Sequence, residues 1–68
     1  MRAPMRMYSW NRDLKAYDIL WMWKTSPSGE LVYKVCGRTD SEDAAKLAVD
    51  AEDVGDVKGV VRIDPWNT

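Results

Sequence analysis

The segment Thr25-Ser-Pro-Ser-Gly-Glu30 most constrains the fold, because it predicts a tight hairpin turn. Pro27 suits the first central position of a type I turn, and Gly29 supplies the left-handed residue that follows it in a three-residue loop with a bulge. The flanking residues 17–24 and 31–36 are mostly aromatic, β-branched or long and apolar, without Gly or Pro. We therefore predict two antiparallel strands joined by this turn.

The turn also predicts which residues face each other across the hairpin. With Ser26 opposite Glu30, the expected pairs are Trp23 with Tyr33, Trp21 with Val35, and Met22 with Lys34. Side chains alternate between the two faces of a strand, so one face would collect almost only apolar residues. These are Tyr17, Ile19, Trp21, Trp23, Leu31, Tyr33 and Val35. We expect this face to form the core, the alternative for the two tryptophans being a platform on which nucleic-acid bases stack.

The residues from Thr39 to Gly55 predict a helix. The first three residues are all good N-caps, and Gly55 is a natural stop. Apolar residues at helical spacing form one stripe of mostly small side chains: Ala44, Leu47, Ala48, Ala51 and Val54. Because small side chains allow a close approach, we expect this stripe to cover the indole rings of the core face.

Further strands are predicted towards both ends of the chain. Residues 57–64 read as a strand ended by Pro65, with Val57, Val61 and Ile63 towards the core and Lys58, Val60 and Arg62 on the other side. Residues 5–15 form strand or turn, with an edge strand at 5–10, and residues 1–4 are expected to be frayed. The chain is then one α+β domain, residues 1–68: a small antiparallel sheet of three to four strands with one helix on one face, in the order (β)ββαβ.

A single helix covers a single side, so the second face of the sheet is expected to be open to solvent or to a partner. The residues predicted there mix apolar and basic side chains: Leu20, Met22, Lys24, Val32, Lys34, Arg38, Lys58 and Arg62. Such a face could be solvated, follow a phosphate backbone or receive an acidic protein surface. Homodimerisation is its most economical use, because exposed apolar area on so small a domain tends to have a function.

Charge is strongly segregated along the chain. Residues 1–38 carry seven basic and three acidic side chains (+4), residues 39–56 one and seven (−6), and residues 57–68 two and one (+1), for a net charge of −1. The acidic part predicts either a solvated helix face or a docking surface for a basic partner. Its candidate contact residues are Asp43, Asp50, Glu52, Asp53 and Asp56. Residues 50–56 lack the alternation and terminal glutamate of an EF-hand loop, so we predict no metal site.

The residue types also limit the chemistry. There is no histidine, and Cys36 is the single cysteine, so an intramolecular disulfide and a zinc site of the usual kind are excluded. The basic neighbours Lys34 and Arg38 could lower the pKa of the Cys36 thiol, but we interpret it as a half-buried apolar residue. We therefore expect no enzyme activity, catalytic residue or cofactor. The N-terminus lacks an apolar run for a signal peptide or a membrane span, and a free thiol suits the cytoplasm.

In its length, lack of histidine and segregated charge, with Ser41-Glu-Asp-Ala-Ala-Lys46 opening the helix, the chain resembles the small accessory proteins that bacteriophages encode, anti-CRISPR proteins among them. The resemblance implies a non-enzymatic protein-binding module that inhibits or modulates a host protein by occupying its surface. Trp10 and Trp66 are candidate anchors, because tryptophan dominates binding hot spots. The alternative function is single-stranded nucleic-acid binding through the basic sheet face.

Overall fold

The computed structural model describes residues 5–64 and shows one antiparallel sheet with a helix packed on it. The strands are β1 (Arg6–Asn11), β2 (Ala16–Thr25), β3 (Leu31–Thr39) and β4 (Val61–Arg62), side by side in that order. Helix α1 (Glu42–Asp50) and a 3₁₀ turn (Val54–Asp56) come between β3 and β4. The predicted α+β class and chain order are confirmed, and β1 is the expected edge strand. Residues 1–4 and the candidate anchor Trp66 lie outside the described residues.

The hairpin turn between β2 and β3 has the predicted geometry. The Gly29 amide donates to the Ser26 carbonyl at 2.9 Å, and the Ser26 amide donates to the Glu30 carbonyl at 2.7 Å. Gly29 has a φ of 89°, which an L side chain rarely adopts. The turn therefore fixes the tip of the hairpin with Ser26 opposite Glu30.

Beyond the tip, two bulges change the register that the turn alone would set. Lys24 pairs with Val32 as expected, but Trp23 is then an extra residue on β2. The pairs that follow are Met22 with Tyr33, Trp21 with Lys34, and Leu20 with Val35. Cys36 is an extra residue on β3, and it restores the original register, so that Ile19 pairs with Gly37. The predicted pairs of Trp21, Met22 and Trp23 are wrong, because each bulge shifts the pairing by one residue.

The core lies under the helix at one end of the sheet. Ile19, Ala45, Ala48 and Val54 are buried together, and the partly buried residues packed against them are Tyr8, Tyr17, Cys36, Val57 and Val60. The nine residues of α1 span about 14 Å, whereas the ten residues of β2 span about 33 Å. The helix can therefore cover less than half of the length of the hairpin.

The predicted core face is confirmed for Tyr17 and Ile19 and wrong further along the hairpin. Trp21 lies on the helix side, next to Arg6, and it is only partly buried. Trp23 is 37% exposed. Tyr33 and Val35 are paired with Met22 and Leu20 on the opposite side of the sheet, and Leu31 at the tip is exposed. The expectation that an alanine-lined helix buries the two indoles is therefore wrong, because the buried alanines pack around Ile19 instead.

The helix begins as predicted but ends earlier. Ser41 is the N-cap, and its hydroxyl oxygen accepts a hydrogen bond from the Ala44 amide at 3.3 Å. At the other end, the Arg6 guanidinium of β1 donates to the carbonyls of Ala48 at 3.0 Å, Glu52 at 2.8 Å, and Ala51. These bonds satisfy carbonyls at and just beyond the end of the helix, so α1 ends five residues before Gly55.

The buried stripe of the helix is also rotated from the predicted one. Ala44 and Ala48 are buried as expected, but Ala45 is buried and Leu47 is 65% exposed. Val54 reaches the core through the 3₁₀ turn instead of through another turn of α1. The side of the helix that packs on the sheet therefore consists of three alanines, and Leu47 faces solvent.

The last strand is shorter than predicted, since β4 has two residues instead of eight. The Val60 amide donates to the Val57 carbonyl at 3.1 Å, and Gly59 has a φ of 90°, which makes a turn of residues 57–60. This turn breaks the alternation of a strand. As a result Val60 packs towards the core while Val61 is 67% exposed, which reverses the predicted sides of these two residues.

We predict that Arg6→Ala lowers the free energy of unfolding by about 2 kcal/mol, because carbonyls at the end of the helix lose charged hydrogen-bond donors. Arg6→Lys should recover less than half of the loss, since one ammonium does not reproduce the planar fork of a guanidinium. Urea unfolding followed by tryptophan fluorescence measures both. Arg12→Ala, at an exposed position in the turn after β1, is the control and should change stability by less than about 0.5 kcal/mol. Equal stability of Arg6→Ala and the parent chain would contradict the role of Arg6.

Candidate binding surfaces

The sheet face opposite the helix carries two adjacent rows of apolar side chains. Pairing across the strands aligns Met7, Leu20 and Val35 in one row. Met5, Met22 and Tyr33 form the next, in which the Met22 amide donates to the Met5 carbonyl at 2.9 Å. Met5 is 59% and Met7 43% exposed, and the other four are partly buried. We call these six residues the open face, because no described element covers them.

A charged pair borders the open face at the end nearer the core. The Arg38 Nε lies 2.6 Å from Asp18 Oδ1, and the Asn11 amide nitrogen donates to Asp18 Oδ2 at 3.0 Å. Asp18 is buried, and both of its oxygens accept hydrogen bonds. Arg38 therefore lies on the predicted side of the sheet, but its charge is already balanced by a neighbour within the chain.

The other basic residues predicted beside Leu20 and Met22, besides Arg38, lie elsewhere. Residues paired across an antiparallel sheet point to the same side, so Lys34 follows Trp21 to the helix side, and Lys24 and Val32 lie there too. Arg62 pairs with Gly37 on the helix side and lies 3.4 Å from Asp53. Lys58 is exposed in the 57–60 turn. The prediction of a mixed basic and apolar face is wrong, since the Trp23 bulge and the Gly59 turn move these residues away from it.

The same bulge gathers two lysines around one tryptophan on the helix side of the sheet. The Lys24 ammonium lies 4.4 Å from the centre of the Trp23 ring, and the Lys34 ammonium 4.7 Å. Both distances are within the range of cation–π attraction. We call Trp23, Lys24 and Lys34 the basic-aromatic cluster. It places two positive charges beside a ring that is 37% exposed.

The acidic residues of the predicted docking surface lie on α1 and on the segment after it. Asp43, Asp50, Glu52 and Asp56 are exposed, whereas Asp53 is partly buried. Asp53 caps the 3₁₀ turn by accepting a hydrogen bond from the Gly55 amide at 2.9 Å, besides its contact with Arg62. Asp43 lies in the first turn of the helix, where a negative charge is favourable. Asp53 and Asp43 thus have structural roles, while the others face solvent.

Trp10, the described candidate anchor, packs within the chain and is also accessible. It lies on the helix side of the edge strand, with its ring 4.9 Å from that of Tyr17 at an angle of 61°. It is 52% exposed. The Trp10 indole therefore contacts Tyr17 and still exposes about half of its surface to a partner.

Burial raises the pKa of the Cys36 thiol, and the positive charge of Arg6 opposes this effect without overcoming it. The sulfur lies 3.5 Å from the Ile19 carbonyl oxygen, on the helix side. Lys34 and Arg38 were the neighbours expected to lower this pKa, but burial dominates. Cys36 is therefore a poor nucleophile at neutral pH and behaves as a small apolar residue of the core, as the sequence predicts.

We predict that iodoacetamide modifies Cys36 several-fold more slowly in the folded chain than in the urea-unfolded chain at pH 8. The reason is that the raised pKa lowers the thiolate fraction below that of an ordinary cysteine at this pH. The folded rate should therefore continue to rise above pH 9, where the unfolded rate levels off. Mass spectrometry of the alkylated chain gives both rates, and equal rates would contradict the burial of the thiol.

Within residues 5–64, no three cysteine or carboxylate side chains come together in a way that could hold a metal ion. Across the same range, the helices are too short and too polar to cross a membrane. Comparison of the chain with protein-family models, with curated proteins and with solved structures gave no match.

Met5 and Met7 are surface residues that were not predicted from the sequence. Their alternation with Arg6 and Tyr8 is a strand pattern that would have placed both methionines on the side away from the helix. The alternation alone does not tell which of the two sides faces the helix; the contact of Arg6 with the helix does. The basic-aromatic cluster had no comparable sequence pattern, because it depends on the bulge at Trp23.

Proposed function

We propose that this chain is a non-enzymatic protein-binding module, and that its open face binds an apolar, uncharged face of another protein. The observation that carries the proposal is the two apolar rows on the side of the sheet that the helix leaves uncovered. The only ionised residues bordering these rows along the paired strands, Asp18 and Arg38, neutralise each other. A partner surface with a strong charge of either sign would therefore gain little here.

The composition of the open face suits a binding surface. Three of the four methionines of the chain lie on it, and methionine side chains adapt to the shape of a partner at low cost. Tyr33 adds an aromatic ring, a residue type enriched at the centre of protein interfaces. A domain of this size buries only about 60% of its unfolded surface, so covering these rows would also stabilise the fold.

The proposed biological role is the inhibition or modulation of a host protein by occupying its surface, as the resemblance to phage accessory proteins implies. The proposed location is the cytoplasm, which the free thiol of Cys36 supports because such thiols persist in reducing compartments. The acidic residues Asp50, Glu52 and Asp56 are the second contact surface of the proposal. They belong to α1 and the segment that follows it, so they remain accessible when the open face is covered.

We predict that Met7→Asp weakens the binding of protein partners at least about tenfold, because it places an unpaired charge in the apolar rows. Leu47→Asp is the matched control: it introduces the same charge at an exposed apolar position on α1. The amount of protein captured from a bacterial host lysate should fall at least about tenfold on immobilised Met7→Asp. It should stay unchanged on immobilised Leu47→Asp. Circular dichroism verifies that both variants fold. Equal capture by the two variants would contradict binding through the open face.

Single-stranded nucleic-acid binding is the second candidate function, and the basic-aromatic cluster favours it. An exposed indole beside two ammonium groups offers stacking to a base and charge to the adjacent phosphates. The surface differs from the one that the sequence predicted, since Arg62 does not belong to it. The cluster and the open face lie on opposite sides of the sheet, so substitutions can separate the two functions.

For this second function we expect binding of a fluorescent oligodeoxythymidine with a log–log salt slope of about −1.4, which corresponds to two lysine–phosphate contacts. Lys24→Glu with Lys34→Glu should weaken binding by at least about tenfold, because both contacts become repulsive. Lys58→Glu, in the exposed 57–60 turn, is the matched control and should bind as the parent chain does. Fluorescence anisotropy measures all three. Absence of binding at low salt, or equal weakening by Lys58→Glu, would exclude this function.

A further inference from the structure

We infer that the protein that covers the open face is a second copy of this chain, giving a two-fold dimer in which two sheets pack face to face. This inference rests on the proposed function, because it names the partner that covers the same surface when no other protein is bound to it. The dimer would have four layers, with the two sheets about 10 Å apart and the helices outside. The apolar rows of one copy would then lie against those of the other.

Charge is the first argument for a second copy. In a two-fold interface the same patch lies on both sides, so a patch with net charge would repel itself. The open face has none: its six residues are uncharged, and Asp18 and Arg38 at its border are paired at 2.6 Å. The charged residues lie elsewhere. The acidic residues are on α1 and on the segment after it, and Lys24 and Lys34 lie beside Trp23 on the helix side of the sheet.

Area is the second argument. The side of the sheet opposite the helix is about 33 Å long along the ten residues of β2 and about 14 Å wide across three strands, and the open face is its middle part. If this whole side were buried, each copy would bury about 460 Å², or about 900 Å² in total. Specific interfaces begin at about 1,000 Å², so this area corresponds to a weak dimer that dissociates in the micromolar range. The flexible methionines favour such a contact, because they can fill the space between two flat sheets.

The test is the concentration dependence of the mass of the full chain, measured by sedimentation velocity from about 1 to about 200 µM. The parent chain and Leu47→Asp should shift from 7.8 kDa towards twice that mass. Met7→Asp and Met5→Asp should remain at 7.8 kDa, their dimer dissociation constant being raised at least about tenfold. Both methionines are exposed in the single chain, so these variants should fold normally, which circular dichroism verifies.

The outcomes distinguish the inference from the function on which it rests. A dimer that Met7→Asp leaves intact would overturn the inference and point to another contact, such as pairing through the free edge of β1. A monomeric parent chain would also overturn it. If Met7→Asp then still loses the captured lysate proteins, the open face binds a different protein and the proposed function stands. If it loses none, both proposals fail.

Discussion

The contact between the Arg6 guanidinium and the end of the helix connects the two layers of this protein. Arg6 lies on the edge strand, and its donors reach the Ala48, Ala51 and Glu52 carbonyls. This contact places the end of α1 at the edge of the sheet and accompanies its termination after nine residues. So short a helix shields only the end of the sheet around Ile19. The remaining half of the hairpin is left with aromatic and apolar side chains on both of its sides, which is where the candidate surfaces lie.

The bulge at Trp23 decides how charge is divided between those sides. In a regular ladder Lys34 would follow Met22, and the face opposite the helix would carry positive charge. The extra residue moves Lys34 to the side of Trp21 and leaves Tyr33 beside Met22. One side of the hairpin is therefore apolar and neutral, and the other is aromatic and basic. The two candidate functions follow from this division, because each uses one of the sides.

Local patterns in the sequence predicted the elements of the fold well. Pro27 and Gly29 define the turn, Ser41 starts the helix, and the order of strands and helix is as expected. The end of the helix and the register of the strands could not be predicted from these patterns, because both depend on contacts between residues distant in sequence. The hydrogen-bond donor at the end of the helix is Arg6, forty-two residues before the first carbonyl it contacts. The register depends on bulges that no residue type marks, so the predicted sides of Tyr33, Lys34 and Val35 were inverted. Leu20 and Met22 remained on the predicted side, whereas Lys24 and Lys34 did not.

The two bulges lie on opposite strands, and their shifts cancel. The hairpin tip and the strand ends near the helix therefore keep the pairing of a regular hairpin, and only the pairs between the two bulges are shifted by one residue. If all residues of β2 and β3 paired regularly, without the bulges, Lys34 would turn to the side of Met22, while the pairing around Ile19 would stay as it is. A protein built in this way can change the character of its exposed surfaces over evolution without redesigning its interior.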